Sequence, residues 1–376
     1  MPNHSEPRRV GVVMAGGSGE RFWPLSRRRR PKQLLRLTSQ TQTMLAEAVS
    51  RVAPVIPPED VYIVTGKHLV EPIREARVGL PDENVIAEPV KRNTAGCLVY
   101  AAAYLVAKYG EDRPLSMAVL TADHVIRDNE AFCAAVEAAL RAAEQEDALT
   151  TIGVVPTRPE TGYGYVQIPE DNAPLPSFAE GVPVYRVVGF HEKPDPERAK
   201  AYFTSGRYLW NIGMFFWTIP AFMAELEAAR PGHARAVRAM TAAMRAGDAA
   251  EVDRVFEALE DISIDYALME RARNVAVARA EFHWDDVGAW NALDRTLPCD
   301  DKRNIALGDP VLVDCEDCIV YNETAGDPHD RAVAVVGARD LVVVATPDAV
   351  LVMPKDRAQD VRRAVAELKE RNAAQL

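Results

Sequence analysis

The sequence predicts an α/β protein in which a mostly parallel sheet, covered by helices on both faces, forms a large first domain, followed by a small C-terminal β-module and a terminal helix. Short β-branched runs alternate with amphipathic helical stretches through the first two thirds of the chain, the pattern of a parallel sheet covered on both faces. After Leu297-Pro298 the strands become short and closely spaced, separated by Asp, Gly and Pro, as in a compact β-module. A chain of 376 residues suits one large α/β domain with an appendage or two domains. We place the boundary near Pro298, with residues 1–297 as the α/β domain and 298–376 as the small β domain.

In chain order, strands are predicted at Val10 to Ala15, Val61 to Thr65, Met117 to Thr121, Ile152 to Val155 and Val184 to Val188, each rich in β-branched residues. Helices are predicted between them at Thr43 to Val52, Ala95 to Lys108 and Ala131 to Gln145. An Ala-rich, all-helical section runs from Pro220 to Arg273, broken at Pro231-Gly232 and Gly247-Asp248. The β-module holds Val311 to Val313, Cys318 to Tyr321, Ala332 to Val336 and Leu341 to Ala345. Arg357 to Lys369 closes it as a helix with Val361, Val365 and Leu368 on one face.

Composition excludes several partners. The net charge of −11 argues against nucleic acid or an anionic membrane, both of which reward a basic surface. No apolar run reaches membrane-spanning length, and MPNHSEPRRV lacks a signal-peptide core, so a cytoplasmic location is expected. Five cysteines fit free thiols in a reducing compartment. A zinc site of Cys315 and Cys318 with Cys299 and His329 lacks a second C-x-x-C, and Glu316-Asp317 reads instead as a hairpin turn.

The chemistry concentrates in VGVVMAGGSGERFWPLSRRRRPKQLL, where a strand enters a glycine-rich turn with Arg21 after it and Lys32 beyond. Exposed backbone N–H groups followed by fixed cations form a phosphate cradle. Neither the P-loop spacing nor the third glycine of a dinucleotide site is present. Asp123 ends the next apolar strand, at the edge where ligands bind such sheets. Trp284-Asp285-Asp286 offers a second carboxylate, and two carboxylates meeting a triphosphate would hold Mg²⁺; chemistry alone does not separate Asp285 from Asp286. His124 beside Asp123 could suggest a general base, but a phosphate oxygen is already ionised and needs none as a nucleophile, so this histidine reads as structural.

In order, AGGSGERFWPLSRRRRPKQLL, EPVKRNTA, TADHVI, PETGYGYV, FHEKPD, YLWNIGMF, SIDYALME and WDDVGAW resemble the bacterial mannose-1-phosphate guanylyltransferases, within the nucleotide-sugar pyrophosphorylases. The resemblance runs from about Val10 to about Trp290. It implies a Rossmann-like nucleotidyltransferase domain and, after it, a C-terminal left-handed β-helix-like module, with no room for the isomerase domain of longer members. It implies that Ala15, Gly16, Gly17, Ser18 and Gly19 hold the nucleotide, that Arg21 and Lys32 meet the triphosphate, and that Asp123 and Asp286 bind Mg²⁺. Lys193 would meet the sugar phosphate, Gly164, Glu192 and Asn211 the mannose, and Glu88 the guanine, ahead of Asn93 and Thr94. A carboxylate suits guanine because N1–H and the N2 amino group donate side by side. Glu88 capping the helix near Asn93 is the alternative.

The expected activity is GTP plus α-D-mannose 1-phosphate to GDP-mannose plus diphosphate, feeding polysaccharide biosynthesis. A transferase for another sugar 1-phosphate and a non-catalytic nucleotide-sugar-binding regulator are the alternatives, and a homodimer is left open.

Overall fold

The computed structural model describes residues 7–39, 41–110, 114–178, 180–324, 326 and 331–376. Its contacts divide the described chain into two compact units, one from residues up to 16 with 48–122 and 126–283, the other from 17–47, 123–125 and 284–376. Packing therefore does not follow the single cut expected near Pro298. The reason is apolar: Phe22, Trp23, Leu25, Leu35 and Leu37 share one core with Trp290, Leu293, Ile319, Val342 and Val361.

The first unit is built on a ten-stranded mixed sheet. Its strands are β1 (Arg8–Met14), β2 (Val61–Gly66), β3 (Val85–Glu88), β4 (Leu115–Thr121), β5 (Leu149–Val154), β6 (Gly164–Gln167), β7 (Val184–Arg186), β8 (Gly189–His191), β9 (Tyr208–Thr218) and β10 (Val275–Ala280). The main path is β3-β2-β1-β4-β9-β5-β10-β7, with β6 on β9 and β8 on β6. Most strands point one way, because β9 is antiparallel to both β4 and β5 and restores the common direction beyond it. Strand β1 is central, and Val10, Val12 and Val13 are fully buried, as a strand covered on both faces requires. Met14 pairs with Thr121, so β1 and β4 end together at one edge of the sheet.

Helices α1 (Asn93–Tyr109) and α2 (Asn129–Glu146) extend one or two residues beyond the expected bounds. The helical section is α3 (Ile219–Ala229), α4 (Pro231–Ala246) and α5 (Ala249–Glu257), broken at the expected prolines and glycines. The expected strand Val184 to Val188 forms only as far as Arg186, as β7, and β8 follows it as a separate strand with different neighbours. Among the described residues no helix is long and apolar enough to cross a membrane.

In the second unit, β11 (Ile305–Leu307), β13 (Ile319–Asn322) and β15 (Leu341–Ala345) stack in parallel, while β12 (Val311–Val313) stacks in parallel on β14 (Ala334–Val336). Successive turns of chain thus form a β-helix-like coil, closed by antiparallel β16 (Val350–Pro354) and by helix α6 (Val361–Glu370). Glu316-Asp317 is a correction to the expected hairpin: β12 and β13 lie in different sheets, so this turn rounds a corner of the coil. Cys315 and Cys318 fill the coil interior beside Val320, and the Cys315 thiol donates to the Val335 carbonyl at 3.2 Å. His329 lies outside the described residues.

Candidate active site

Within the second unit, the glycine turn closes on Lys32. Gly19 has φ +62°, and a Cβ there would lie 2.5 Å from Lys32 Cβ and 2.6 Å from Lys32 N, so a side chain would meet both strain and backbone. Lys32 is only 6% exposed. Its Nζ donates to Asp123 Oδ2 at 2.9 Å and to the Asp286 carbonyl at 2.6 Å, tying two distant motifs to one buried ammonium. Burial pushes the Asp123 carboxyl up, but Lys32 and His124 outweigh it and hold the group below the usual carboxylate range. Trp284 Nε1 donates to His124 Nδ1 at 3.1 Å, which gives that imidazole a structural partner.

Arg21 donates through Nη1 to the Gly288 carbonyl at 2.8 Å, while its buried Nε has no hydrogen-bond partner among the described residues. Burial, then Arg362, lowers its pKa against the pull of Asp286. A buried donor without an acceptor is costly, and an anion would satisfy it. The two adjacent aspartates also separate. Asp285 is 2% exposed, accepts from Val287 N at 2.8 Å and holds Arg295 at 2.6 Å, so its carboxylate serves the fold. Asp286 is half-buried beside Lys32 and Arg21.

Within the first unit lie the groups expected at the base and sugar. Ala15 continues β1, its N–H donating to the Val64 carbonyl at 2.9 Å, and Gly16 is exposed beyond it. Gly17 and Ser18, the first residues of the second unit, also lie exposed. An ideal Cβ on Gly16 would stand 3.7 Å from Glu88 Oε1, which puts the carboxyl at the start of the turn. Glu88 is 8% exposed, its Oε2 has no partner among the described residues, and burial pushes its pKa up to about 7 against Lys91. Among the described residues Glu88 makes no capping bond to α1; Asn93 Oδ1 accepts from Thr94 N at 2.9 Å, and Thr94 Oγ1 accepts from Ile264 N at 2.8 Å.

The four expected sugar-side residues converge. Lys193, at φ +46°, pairs through Nζ with Glu192 Oε1, and Glu192 raises the ammonium's pKa although burial opposes it. A Cβ on Gly164 would lie 2.5 Å from Glu192 Oε2 and 3.4 Å from Asn211 Cβ, so the missing side chain is what lets the carboxylate sit there. Asn211 is held from both sides: Thr151 Oγ1 donates to its Oδ1 at 2.9 Å, and its Nδ2 donates to Asp265 Oδ1 at 3.3 Å. Asp265 opens a π-helical turn, Asp265–Met269, and burial followed by Glu192 drives its carboxyl pKa upward. Sequence reasoning gave Asp265 no role. Its one signal is an acid set just before the buried run Ala267-Leu268-Met269.

Comparison with known proteins adds a family to this geometry. The nucleotidyl transferase family matches residues 10–299, and the mannose-phosphate isomerase/GMP-like beta-helix domain matches residues 308–368. A mannose-1-phosphate guanylyltransferase of Klebsiella pneumoniae is 39% identical over 96% of this chain and 74% of its own length. The alginate biosynthesis protein AlgA of Pseudomonas aeruginosa is 36% identical over 96% of this chain and 72% of its own. A crystal structure from Thermus thermophilus, described as a mannose-1-phosphate geranyltransferase, is 36% identical with a TM-score of 0.82, covering 96% of this chain and 99% of that one.

Proposed function

We propose, for a chain that belongs to the nucleotidyl transferase family and within it to the mannose-1-phosphate guanylyltransferases, the reaction GTP plus α-D-mannose 1-phosphate to GDP-mannose plus diphosphate. The observation that carries this reading is the buried Lys32 ammonium joining Asp123 to the Asp286 carbonyl, beside an Arg21 whose Nε lacks an acceptor. Cations fixed in this way suit phosphate groups.

Arg21 and Lys32 would neutralise charge on the triphosphate, and the glycine turn would offer backbone N–H groups to it. The mannosyl phosphate oxygen would attack the α-phosphorus in line, with diphosphate leaving and no covalent intermediate on the protein. Lys193 would take the sugar phosphate, and Glu192 and Asn211 would accept and donate to mannose hydroxyls next to Gly164. Glu88 would accept from guanine N1–H and N2. The donor set also fits a divalent cation: two carboxylates, Asp123 and Asp286, suit Mg²⁺, which completes its shell with waters and substrate phosphates and would supply Lewis-acid stabilisation of the α-phosphate. Such an enzyme would work in the cytoplasm, where GTP is made, and its product would feed polysaccharide synthesis, the role named for the Pseudomonas relative.

The test is to incubate the pure chain with Mg²⁺, each of the four NTPs and each of several hexose 1-phosphates, and to follow diphosphate release. Fastest turnover with GTP and mannose 1-phosphate is expected. Preference for ATP or UTP would overturn the guanylyltransferase reading, and no turnover with any pair would favour a regulator.

A further inference from the structure

The second unit holds a cavity of about 1000 Å³ for which the proposed reaction has no use. Its polar lining sets Arg27, Arg30 and Arg36 against Asp309, Glu323 and Asp348, with Tyr321 and Asn322 between them. Arg27 and Arg30 come from one tight turn, closed by Arg27 N–H to the Arg30 carbonyl at 2.9 Å and Arg30 N–H to the Arg27 carbonyl at 3.0 Å. Each finds a carboxylate across the cavity: Arg27 Nη2 lies 2.7 Å from Asp348, and Arg30 pairs with Glu323. Arg36 is different. It is exposed and Tyr321 is half-buried, and among the described residues neither the guanidinium nor the phenol hydroxyl makes a hydrogen bond to the protein; burial and then Glu323 push the phenol's pKa up, while Arg30 and Arg36 pull it down. The Tyr321 ring is fixed edge-on to Trp290, with centroids 6.1 Å apart.

Three guanidiniums on one cavity wall exceed what a carboxylate monoanion needs, whereas a phosphate monoester offers two charges and three acceptor oxygens. The Arg27–Asp348 and Arg30–Glu323 pairs are partly solvent-exposed, and exposed pairs yield readily to a stronger anion. The volume also matches that of small-molecule sites. We propose that this cavity binds a phosphorylated small molecule, its phosphate taken by Arg36 and by Arg30 released from Glu323, with the Tyr321 hydroxyl donating to it. This inference stands apart from the catalytic reading.

The test titrates inorganic phosphate, glucose 6-phosphate and AMP calorimetrically into the full chain, the two esters separating a sugar from a nucleoside source. At least one ester is expected to bind, Arg36→Ala to weaken it at least about tenfold, and Glu323→Gln to tighten it several-fold by removing the competing carboxylate. The opposite signs guard against a folding artefact, and Arg36→Gln with a melting curve checks the fold. No binding by any probe, binding indifferent to Arg36→Ala, weakening by Glu323→Gln, or loss on Lys32→Ala would overturn the proposal.

Discussion

At the scale of single residues, a buried carboxyl without a partner prefers its proton, and Glu88 is in that position. Accepting from guanine requires the ionised form. The KM for GTP is therefore expected to fall as pH rises through about 7, with the slope lost in Glu88→Gln, as initial rates across pH 6 to 8 would show. Stability should move the other way. Glu88 ionises near 4.5 in the unfolded chain and near 7 in the folded one, so the folded state binds more protons between those values, and its stability contribution, complete below 4.5, is lost as pH rises through 7. Glu88→Gln should raise the Tm at pH 8, by an amount equivalent to about 2 kcal/mol, and leave it unchanged at pH 4. The neighbouring aspartates should also part company: Asp286→Asn is expected to cut kcat by about 10²–10³ with melting intact, and Asp123→Asn to cut it as far while also lowering the Tm, because the buried Lys32 ammonium loses its carboxylate. Asp285→Asn, which weakens the pairing of a buried carboxylate with the exposed Arg295, should cost about 1–3 kcal/mol of stability instead. Loss of kcat in Asp285→Asn at unchanged Tm would reverse that assignment.

At the scale of elements, the sugar-side cluster depends on β6 and β9 approaching at Gly164 and Asn211, which are register partners. Gly164→Ala should push the Glu192 carboxylate aside and raise the KM for mannose 1-phosphate about tenfold while sparing that for GTP. Lys193→Ala should do the same, and an equal rise in both KM values would move Lys193 to the triphosphate or to a structural role. These elements were unequally legible. Strand β1 and helices α1 and α2 announce themselves because their apolar spacing matches a buried strand or a helix face over many residues. Strand β9 does not: its bulge between Asn211 and Phe215 breaks the alternation, so its motif reads as a glycine loop. The glycine turn, Asp123 and the Glu192-Lys193 pair stand out in the sequence because they follow strands, and Lys32 because it is the first lysine beyond the turn, in a short helical turn of its own. Asp265 does not, because its partner Asn211 lies 54 residues away and only folding joins them.

At the scale of the whole molecule, the segment Gly17–Glu47 takes its apolar partners from residues near the other end of the chain. Trp23 Nε1 donates to the Gln375 carbonyl at 2.9 Å, and Lys369 pairs with Glu20 at 2.6 Å. A chain truncated to residues 1–297 is therefore expected to be insoluble or inactive, since Phe22, Leu25, Leu35 and Trp290 would lose Ile319, Val342, Val361 and Val365. Soluble yield and diphosphate release of that truncation would decide it, and full activity would refute the shared core. The arrangement also separates birth order from folding order. At about 5–20 residues per second, a ribosome that has made Glu47 needs roughly 15–60 s more to reach Val365. Until the end of that interval Phe22, Trp23 and Leu25 wait beside Arg21 with their core incomplete, lacking Ile319, Val342, Val361 and Val365, so the stretch carrying the phosphate-binding cations is among the first to be translated and among the last to be set.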